Sequence, residues 1–435
     1  MRTLLLPFVL MGLGATQLPA QDTAELLNRM KAMEDRIKAL EAEVQALKGQ
    51  PTSVTPTQPA AMAVTPVAPA PSIPQEPTPV NLGGAGPAAA KVLNPDISAI
   101  GDFIGAAGNG ANRRIPSLEM HESELGFQEV IDPYARADFF LSFGEEGVTL
   151  EEGYLTFTAL PAGLQVKVGK MRAAFGRVNT LHNHVLPWTD RPLVNQDLVG
   201  GEDGIDDAGL SLSRILPAPK GIFLEGVAQI YRGDSTNVFQ ANRRNDVSTV
   251  EHLHAYHDFS ESTNLDIGGS YARGHSPFGN GANALYGADL TLRWKPLRRA
   301  IYHSFVARSE LVWARTSVFA PSQGSPVTAT IAPFGYYVSG DYQFGRRWFF
   351  GGRFDRSQRG ACLPTEPETS PGSFFCSPTQ LLQDTGGSLI LTYWPSEFSQ
   401  VRGQLRRTRY GEGLTANELI FQFMFSMGAH GAHPF

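Results

Sequence analysis

Five residues in one turn-rich stretch carry most of the chemistry this chain offers. Arg177, His182, His184, Asp190 and Arg191 all fall within 173–205, together with Asp197, Glu202 and Asp203, and Asp206 and Asp207 follow directly. Guanidinium and imidazole groups set against carboxylates sort ions by charge when they line a narrow passage. The same groups on an external loop are solvated charges and no more. Histidines also recur in pairs: His182-x-His184, then His252 and His254 close to His257, and His430 with His433 near the C-terminus. Imidazole is a common zinc ligand, yet no neighbouring cysteine or carboxylate pattern completes a site. No metal is therefore expected, with His252, His254, His430 and His433 as the candidates if one is bound. There is no GxSxG and no evident Ser/His or Asp/His arrangement, so neither an enzyme nor a cofactor is expected. Cys362 and Cys376 are the only cysteines and share one Pro/Ser/Gly-rich stretch; in an exported chain they are expected to close a loop as a disulfide.

The elements that must position these residues are strands. From about Ile97, segments of roughly ten residues alternate in hydropathy, as outward/inward strands of a barrel do. Ala135, Ala137, Phe139, Leu141 and Phe143 share one face, with Tyr134, Arg136, Asp138 and Ser142 on the other. Leu419, Phe421, Phe423, Phe425 and Met427 alternate with Gln422 and Ser426. Strands are predicted at 96–106, 117–130, 133–144, 147–159, 163–172, 206–216, 221–232, 248–258, 262–273, 284–295, 302–316, 333–344, 347–357, 384–395, 398–410 and 417–428. The links between them sort by length. Those after even strands are mostly tiny, as at 131–132, 345–346 and 396–397, whereas several after odd strands are long: 173–205, 233–247, 317–332 and 358–383. A soluble sandwich requires no such sorting, and a transmembrane barrel shows it. A mean hydropathy of -0.16 argues against a helical membrane protein and permits a barrel. Aromatics near expected strand ends, among them Trp294, Trp313, Phe349, Phe350, Tyr393 and Trp394, suit an interface girdle.

The reading is an all-β, 16-stranded antiparallel transmembrane barrel over 91–435, preceded by a coiled coil and a linker. Residues 1–20 have Arg2, a short apolar run from Leu4 to Leu13, and a small-residue cleavage site at Leu18-Pro19-Ala20, the pattern of a secretory signal peptide. In 21–49, Leu26, Met30, Met33, Ile37, Leu40, Val44 and Leu47 occupy a and d positions. Ile and Val at a with Leu at d suit a dimer, but Arg36-Ile37-Lys38-Ala39-Leu40-Glu41 resembles a trimer-specifying pattern, and three strands are expected. Residues 50–90 are Pro, Ala, Thr and Val with almost no charge, an extended spacer. Seven basic and seven acidic residues precede Pro95, so the net charge of -6 belongs wholly to the barrel. Nothing in that charge points to nucleic acid. On the lumen face the alternation places Arg136 with Asp138, Arg308 with Glu310, and Arg402 with Gln404 and Arg406. Facing lipid at mid-depth, each such charge would cost about 2–4 kcal/mol.

Several stretches carry a family resemblance: Asn94-Pro95-Asp96-Ile97, the run Asp132 to Phe140, the run Val168 to Gly176, and Tyr393-Trp394-Pro395-Ser396-Glu397-Phe398. With the order of signal, coiled coil, linker and strands ending in Phe435, the chain resembles the phosphate-selective porin O and P family. That resemblance implies a homotrimeric channel in outer-membrane lipid with the coiled coil in the periplasm. Phe435 at the end of a lipid-facing strand resembles the signal read by the barrel assembly machinery. The family's phosphate channels line their pores with lysine and arginine ladders. This barrel has few lysines and a negative net charge, so phosphate specificity does not carry over. Similar chains are sometimes labelled TonB-dependent receptors, but a 22-stranded barrel and its plug do not fit into 91–435. The function expected is passive diffusion of small hydrophilic solutes, unselective or weakly biased to anions, constricted by 173–205. Arg191→Ala is expected to shift selectivity toward cations. Two alternatives stand beside it: a tether between outer membrane and cell wall, and a zinc-related uptake protein.

Overall fold

The structure, a computed structural model, describes residues 95–110, 115–144, 147–235, 238–278, 280–320, 327–364 and 374–428. The expected signal peptide, coiled coil and linker, and His430, His433 and Phe435, lie outside the described residues. No described helix is long and apolar enough to cross a membrane.

Seventeen strands follow one another: β1 (Asp96–Gly108), β2 (Glu119–Asp132), β3 (Ala135–Gly144), β4 (Gly147–Phe157), β5 (Leu164–Arg172), β6 (Asp206–Ile215), β7 (Ile222–Tyr231), β8 (Ser248–Ser260) and β9 (Thr263–His275). Then come β10 (Ala282–Trp294), β11 (Ser304–Ala320), β12 (Val327–Ile331), β13 (Phe334–Gly345), β14 (Trp348–Pro364), β15 (Phe374–Ser396), β16 (Ser399–Arg409) and β17 (Thr415–Gly428). Every ladder is antiparallel, and β1 pairs with both β2 and β17, Phe103 lying opposite Phe423. The sheet therefore closes on itself, and the ring has no edge strand among the described residues. Strand β12 pairs only with the far part of β11, from Thr316↔Ile331 to Ala320↔Val327, while β13 takes the near part. It is an arm outside the ring, and the ring holds sixteen strands. Each expected strand overlies one of them. Two expected loops are corrected: β11 and β12 occupy most of 317–332, and β14 and β15 extend far into 358–383 as a hairpin. The register sets Cys362 opposite Cys376 in that hairpin; their side chains lie outside the described residues.

The pleat separates two chemistries. Along β17, Phe421 is 39% exposed and its neighbour Gln422 2%. Leu419, Phe423, Phe425 and Met427 are exposed on the same outer face, as are Leu389, Leu391, Val401 and Leu405 on β15 and β16. Apolar side chains point out and polar ones in, which inverts a water-soluble protein and fits a barrel whose solvent is lipid. Outer aromatics gather near both rims, with Trp348 against Tyr393 at 4.5 Å and Trp313 against Phe334 at 4.9 Å between ring centres. Phe349 and Trp394, expected in that girdle, face an internal cavity instead, because the pleat turns them opposite to Phe350 and Tyr393.

With an even number of strands, β1 begins and β17 ends on one rim. That rim carries the short turns at 133–134, 261–262, 346–347 and 397–398. The long segment 173–205 leaves from the other rim, between β5 and β6.

Candidate functional site

Segment 173–205 does not project away from the barrel. It folds inward, and its contacts run around the wall. Its backbone begins with Ala173 N–H donating to Ile205 O at 2.8 Å, where the segment leaves and rejoins the barrel. Asn179, 1% exposed, locks this mouth: its amide nitrogen donates to Ala173 O and Ile205 O, and its amide oxygen accepts from Ile205 N–H. Gly204, at a φ of +66°, lies so close to that oxygen that a Cβ would collide with it. Arg172, the last residue of β5, donates to the carbonyls of Glu202 and Asp203 and tethers the returning limb.

The apolar residues of the segment form a small core against the wall. Phe175, Val178, Leu186, Trp188, Val194, Leu198 and Val199 are buried with Tyr231, Val250, Leu285, Val312 and Tyr337 of the strands. A single short helix, α1 (Leu193–Leu198), follows Pro192, whose fixed φ suits a helix start. Its first N–H is received by the wall: Leu193 donates to Asp355 of β14 at 3.1 Å.

Polar anchors complete the docking. Glu310 of β11 accepts from the N–H groups of Arg177 and Val178, both at 2.6 Å, and from the Asn195 amide. The carbonyl of Trp188 accepts from Arg402, and its ring meets Tyr337 edge-on at 5.1 Å beneath the Arg353 guanidinium. Asp190 receives Arg353 of β14 at 3.0 Å, Arg406 of β16 at 2.7 Å and the Gln404 amide at 2.6 Å. Arg353 continues to Asp355 and Arg406 to Glu418. Burial alone would raise the Asp190 carboxyl, but the two arginines outweigh it and hold it well below the ordinary carboxylate value.

Earlier in the segment stand two histidines, docked against a different part of the wall. His182 faces Glu124 of β2 and Glu151 of β4 through Nδ1, at 2.7 and 2.9 Å, and Glu152 of β4 through Nε2 at 2.8 Å. Burial lowers the proton affinity of this imidazole, yet three carboxylates raise it well above the usual value. His184 is buried deeper and pushed down by that burial. Glu151 and Glu152 are adjacent, so simple alternation would send one of them to lipid. Between Phe140/Leu141 the register shifts, Leu141 facing Leu150 and Phe140 facing Glu152, which leaves Glu151 as a bulged residue. The bulge turns both carboxylates toward the loop.

The expected site residues thus take different places. Arg177 lines a cavity and Asp190 is an anchor. Arg191 is 2% exposed and donates to Asn183 Oδ1 and to the carbonyls of Val178 and Leu181. It braces the loop from within and does not face the passage; burial lowers its guanidinium to about 9. Arg136 and Asp138 of β3 pair with each other. Arg308 pairs with Asp341, whereas Glu310 and Arg406 hold the loop, and Arg402 both holds Trp188 O and lines the cavity beneath the loop. His252 bonds Ser270 and His254 bonds Asp266, and neither belongs to a metal-competent group among the described residues. His182 and His184 do, with carboxylates from strands far away in sequence. Glu122, Glu124, Glu151, Glu152, Arg353 and Asp355 were missed; inward charges two apart, as in Glu122 and Glu124, were the available signal.

Beneath the loop, toward the short-turn rim, a cavity of about 720 Å³ opens. Arg177, Arg293, Lys295, Arg308, Arg346, Arg347 and Arg402 line it against Asp341 and Glu397.

No family model matches the chain. It is similar to an uncharacterized protein of Aquifex aeolicus (strain VF5), 29% identical over 406 residues, 80% of this chain and 81% of that protein. Among solved structures it is similar to the outer membrane channel DcaP of Acinetobacter baumannii, at 11% identity and a TM-score of 0.49, over 80% of this chain and 100% of that one. An anion-selective porin from Comamonas acidovorans matches at 10% identity and a TM-score of 0.49, over 77% and 99%.

Proposed function

We propose that this protein is an outer-membrane diffusion channel for small hydrophilic solutes, weakly selective for anions, with 173–205 as its constriction. The observation that carries the reading is the docked loop: a closed barrel with a lipid-facing exterior holds a folded segment across its interior and keeps a cation-rich cavity beside it. A barrel serving only as an anchor has no need of an ordered obstruction. The anion bias follows from the cavity wall, where seven cationic side chains meet two carboxylates; a surplus of one sign raises the local concentration of the opposite ion. Phosphate specificity is not part of the proposal.

The remaining architecture is proposed on the same basis. Residues 1–20 direct export, the short-turn rim faces the periplasm, and the coiled coil of 21–49 stands there on its linker and helps fix a homotrimer. Cys362 and Cys376 form a disulfide outside the cell, since directly paired antiparallel residues lie at about 4.5–5.5 Å between Cα atoms, within disulfide reach.

Planar-bilayer recording of the refolded protein tests the function. Discrete conductance steps are expected, with a reversal potential in a KCl gradient displaced toward the chloride side. Heat-modifiable, correctly folded protein that conducts no ions would sink the proposal.

A further inference from the structure

We infer that His182, His184 and Glu124, backed by Glu151 and Glu122, form a binding site for a divalent transition-metal ion of the zinc class, which staples the constricting loop to the wall. The site is independent of which solute the channel passes.

The donors come from three elements. His182 and His184 sit on the loop, the latter within a single 3-10 turn, Asn183–Val185. Glu122 and Glu124 lie on β2, and the bulge brings Glu151 inward from β4. One ligand atom each from Glu124, His182 and His184 lies within 4.8 Å of the others, and the same holds for Glu122, Glu124 and Glu151. Glu124 Oε2 is common ground, 2.7 Å from His182 Nδ1 and 3.5 Å from His184 Nδ1. Donors on one tetrahedral zinc ion at about 2.0–2.2 Å lie roughly 3.3–3.6 Å apart, so His184 Nδ1 already stands at that spacing from Glu124, and His182 Nδ1 has to part from it by less than about 1 Å.

Two further observations point to a ligand. His184 Nδ1 and Glu122 Oε1 make no hydrogen bond, although His184 is 7% and Glu122 5% exposed. A buried acceptor left unused is costly, and here two of them border the same cluster. The second is the partner of His182 on its far side. Nε2 meets Glu152 Oε2 at 2.8 Å, and Glu152 is itself held by the Arg172 N–H. With Nε2–H held by Glu152, a cation bound at Nδ1 takes the place of the proton that Nδ1 now shares with Glu124 and Glu151, and the carboxylate on the far side orients the ring as in a metal-binding imidazole. Four carboxylates gather here against Arg172, 3.2 Å from Glu151, and the imidazole of His182. A dication offsets that surplus. Two imidazoles and a carboxylate suit zinc-class ions; calcium prefers six to eight oxygens.

Cobalt(II) serves as the spectroscopic probe. Full-length protein in detergent, stripped with EDTA and shown to be folded by heat-modifiable migration, is titrated with Co²⁺. We expect one saturable equivalent per chain with visible ligand-field absorption, displaced by Zn²⁺. His184→Gln and Glu124→Gln should each weaken binding by at least about tenfold, while His252→Gln should bind as the parent does. Absence of saturable Co²⁺ binding to the folded parent, or equal affinity in both variants and parent, overturns the inference. A conducting channel that binds no Co²⁺ rejects only the metal site; a Co²⁺-binding barrel that never conducts rejects only the channel.

Discussion

Two docking points of the loop 173–205 are held by opposite chemistries. At Asp190 one carboxylate is gripped by Arg353, Arg406 and Gln404, and each arginine has a second acidic partner in Asp355 or Glu418. Both Asp190 oxygens are used. At His182 the charges are inverted and unequal, with three carboxylates on one imidazole, one nearby arginine, and buried atoms of His184, Glu122 and Arg172 left without a hydrogen bond. A self-sufficient ion network locks a loop permanently. An incomplete one makes its hold depend on something brought in from outside, which is how one segment can be both anchored and adjustable.

Asp190→Ala is the harshest way to break this comparison. It leaves Arg353 and Arg406 with one acidic partner each in a buried setting, a loss toward the low end of about 3–5 kcal/mol. We expect the loop to undock there, and the single-channel conductance to rise well above that of the parent; an unchanged conductance would mean that the arginine end is not what holds the loop.

Arg191→Ala comes next. It removes the side-chain donor from the carbonyls of Val178 and Leu181, of which Val178 keeps the Leu181 N–H, at about 1–3 kcal/mol. The expected result is noisier open-channel current with little change in reversal potential. A large displacement toward cations would restore Arg191 to the passage and contradict its burial.

A milder change sharpens the contrast between loop and vestibule. Replacing both Arg346 and Arg347 by Gln removes two cations from the cavity wall without touching a loop anchor. The reversal potential should move toward the cation side while the conductance step stays within the parent's range.

The smallest effect concerns pH. The Asp190 carboxyl is depressed in the folded protein, so its contribution is fully present above the ordinary carboxylate value of about 3.9. It fades only as pH falls toward the depressed one. Between pH 7 and pH 5 the Asp190→Ala variant and the parent should therefore keep a constant difference in conductance, and a difference that collapses within that window would show that the arginines do not hold this carboxylate.

The framework was legible in the sequence because lipid imposes a period of two on every strand that crosses it. Leu419 to Met427 and Ala135 to Phe143 declare both their strand and their inner face. Legibility fails where that constraint ends. The far parts of β11, β14 and β15 rise beyond the apolar band, so their sequences no longer alternate, and 317–332 and 358–383 read as loops. The loop 173–205 was found with its charges, but its partners were not, because Glu310, Arg353 and Arg406 meet it only once the sheet has closed. Glu151 was hidden for a local reason: a single bulged residue reverses the face that alternation assigns. Arg191 was misplaced because a charge in a loop reads as a group facing water, and nothing in its spacing reveals that three acceptors of its own loop surround it.

Asn179 has a consequence for how this molecule can change over evolutionary time. One buried amide ties the departing limb to the returning one, and the β5–β6 ladder, with Arg172 opposite Asp206, runs on beneath them. Between those ties the segment can change only together with the wall: Glu310, Arg353 and Arg406 stay buried whatever the loop presents to them, so loop and strands are bound to vary in concert.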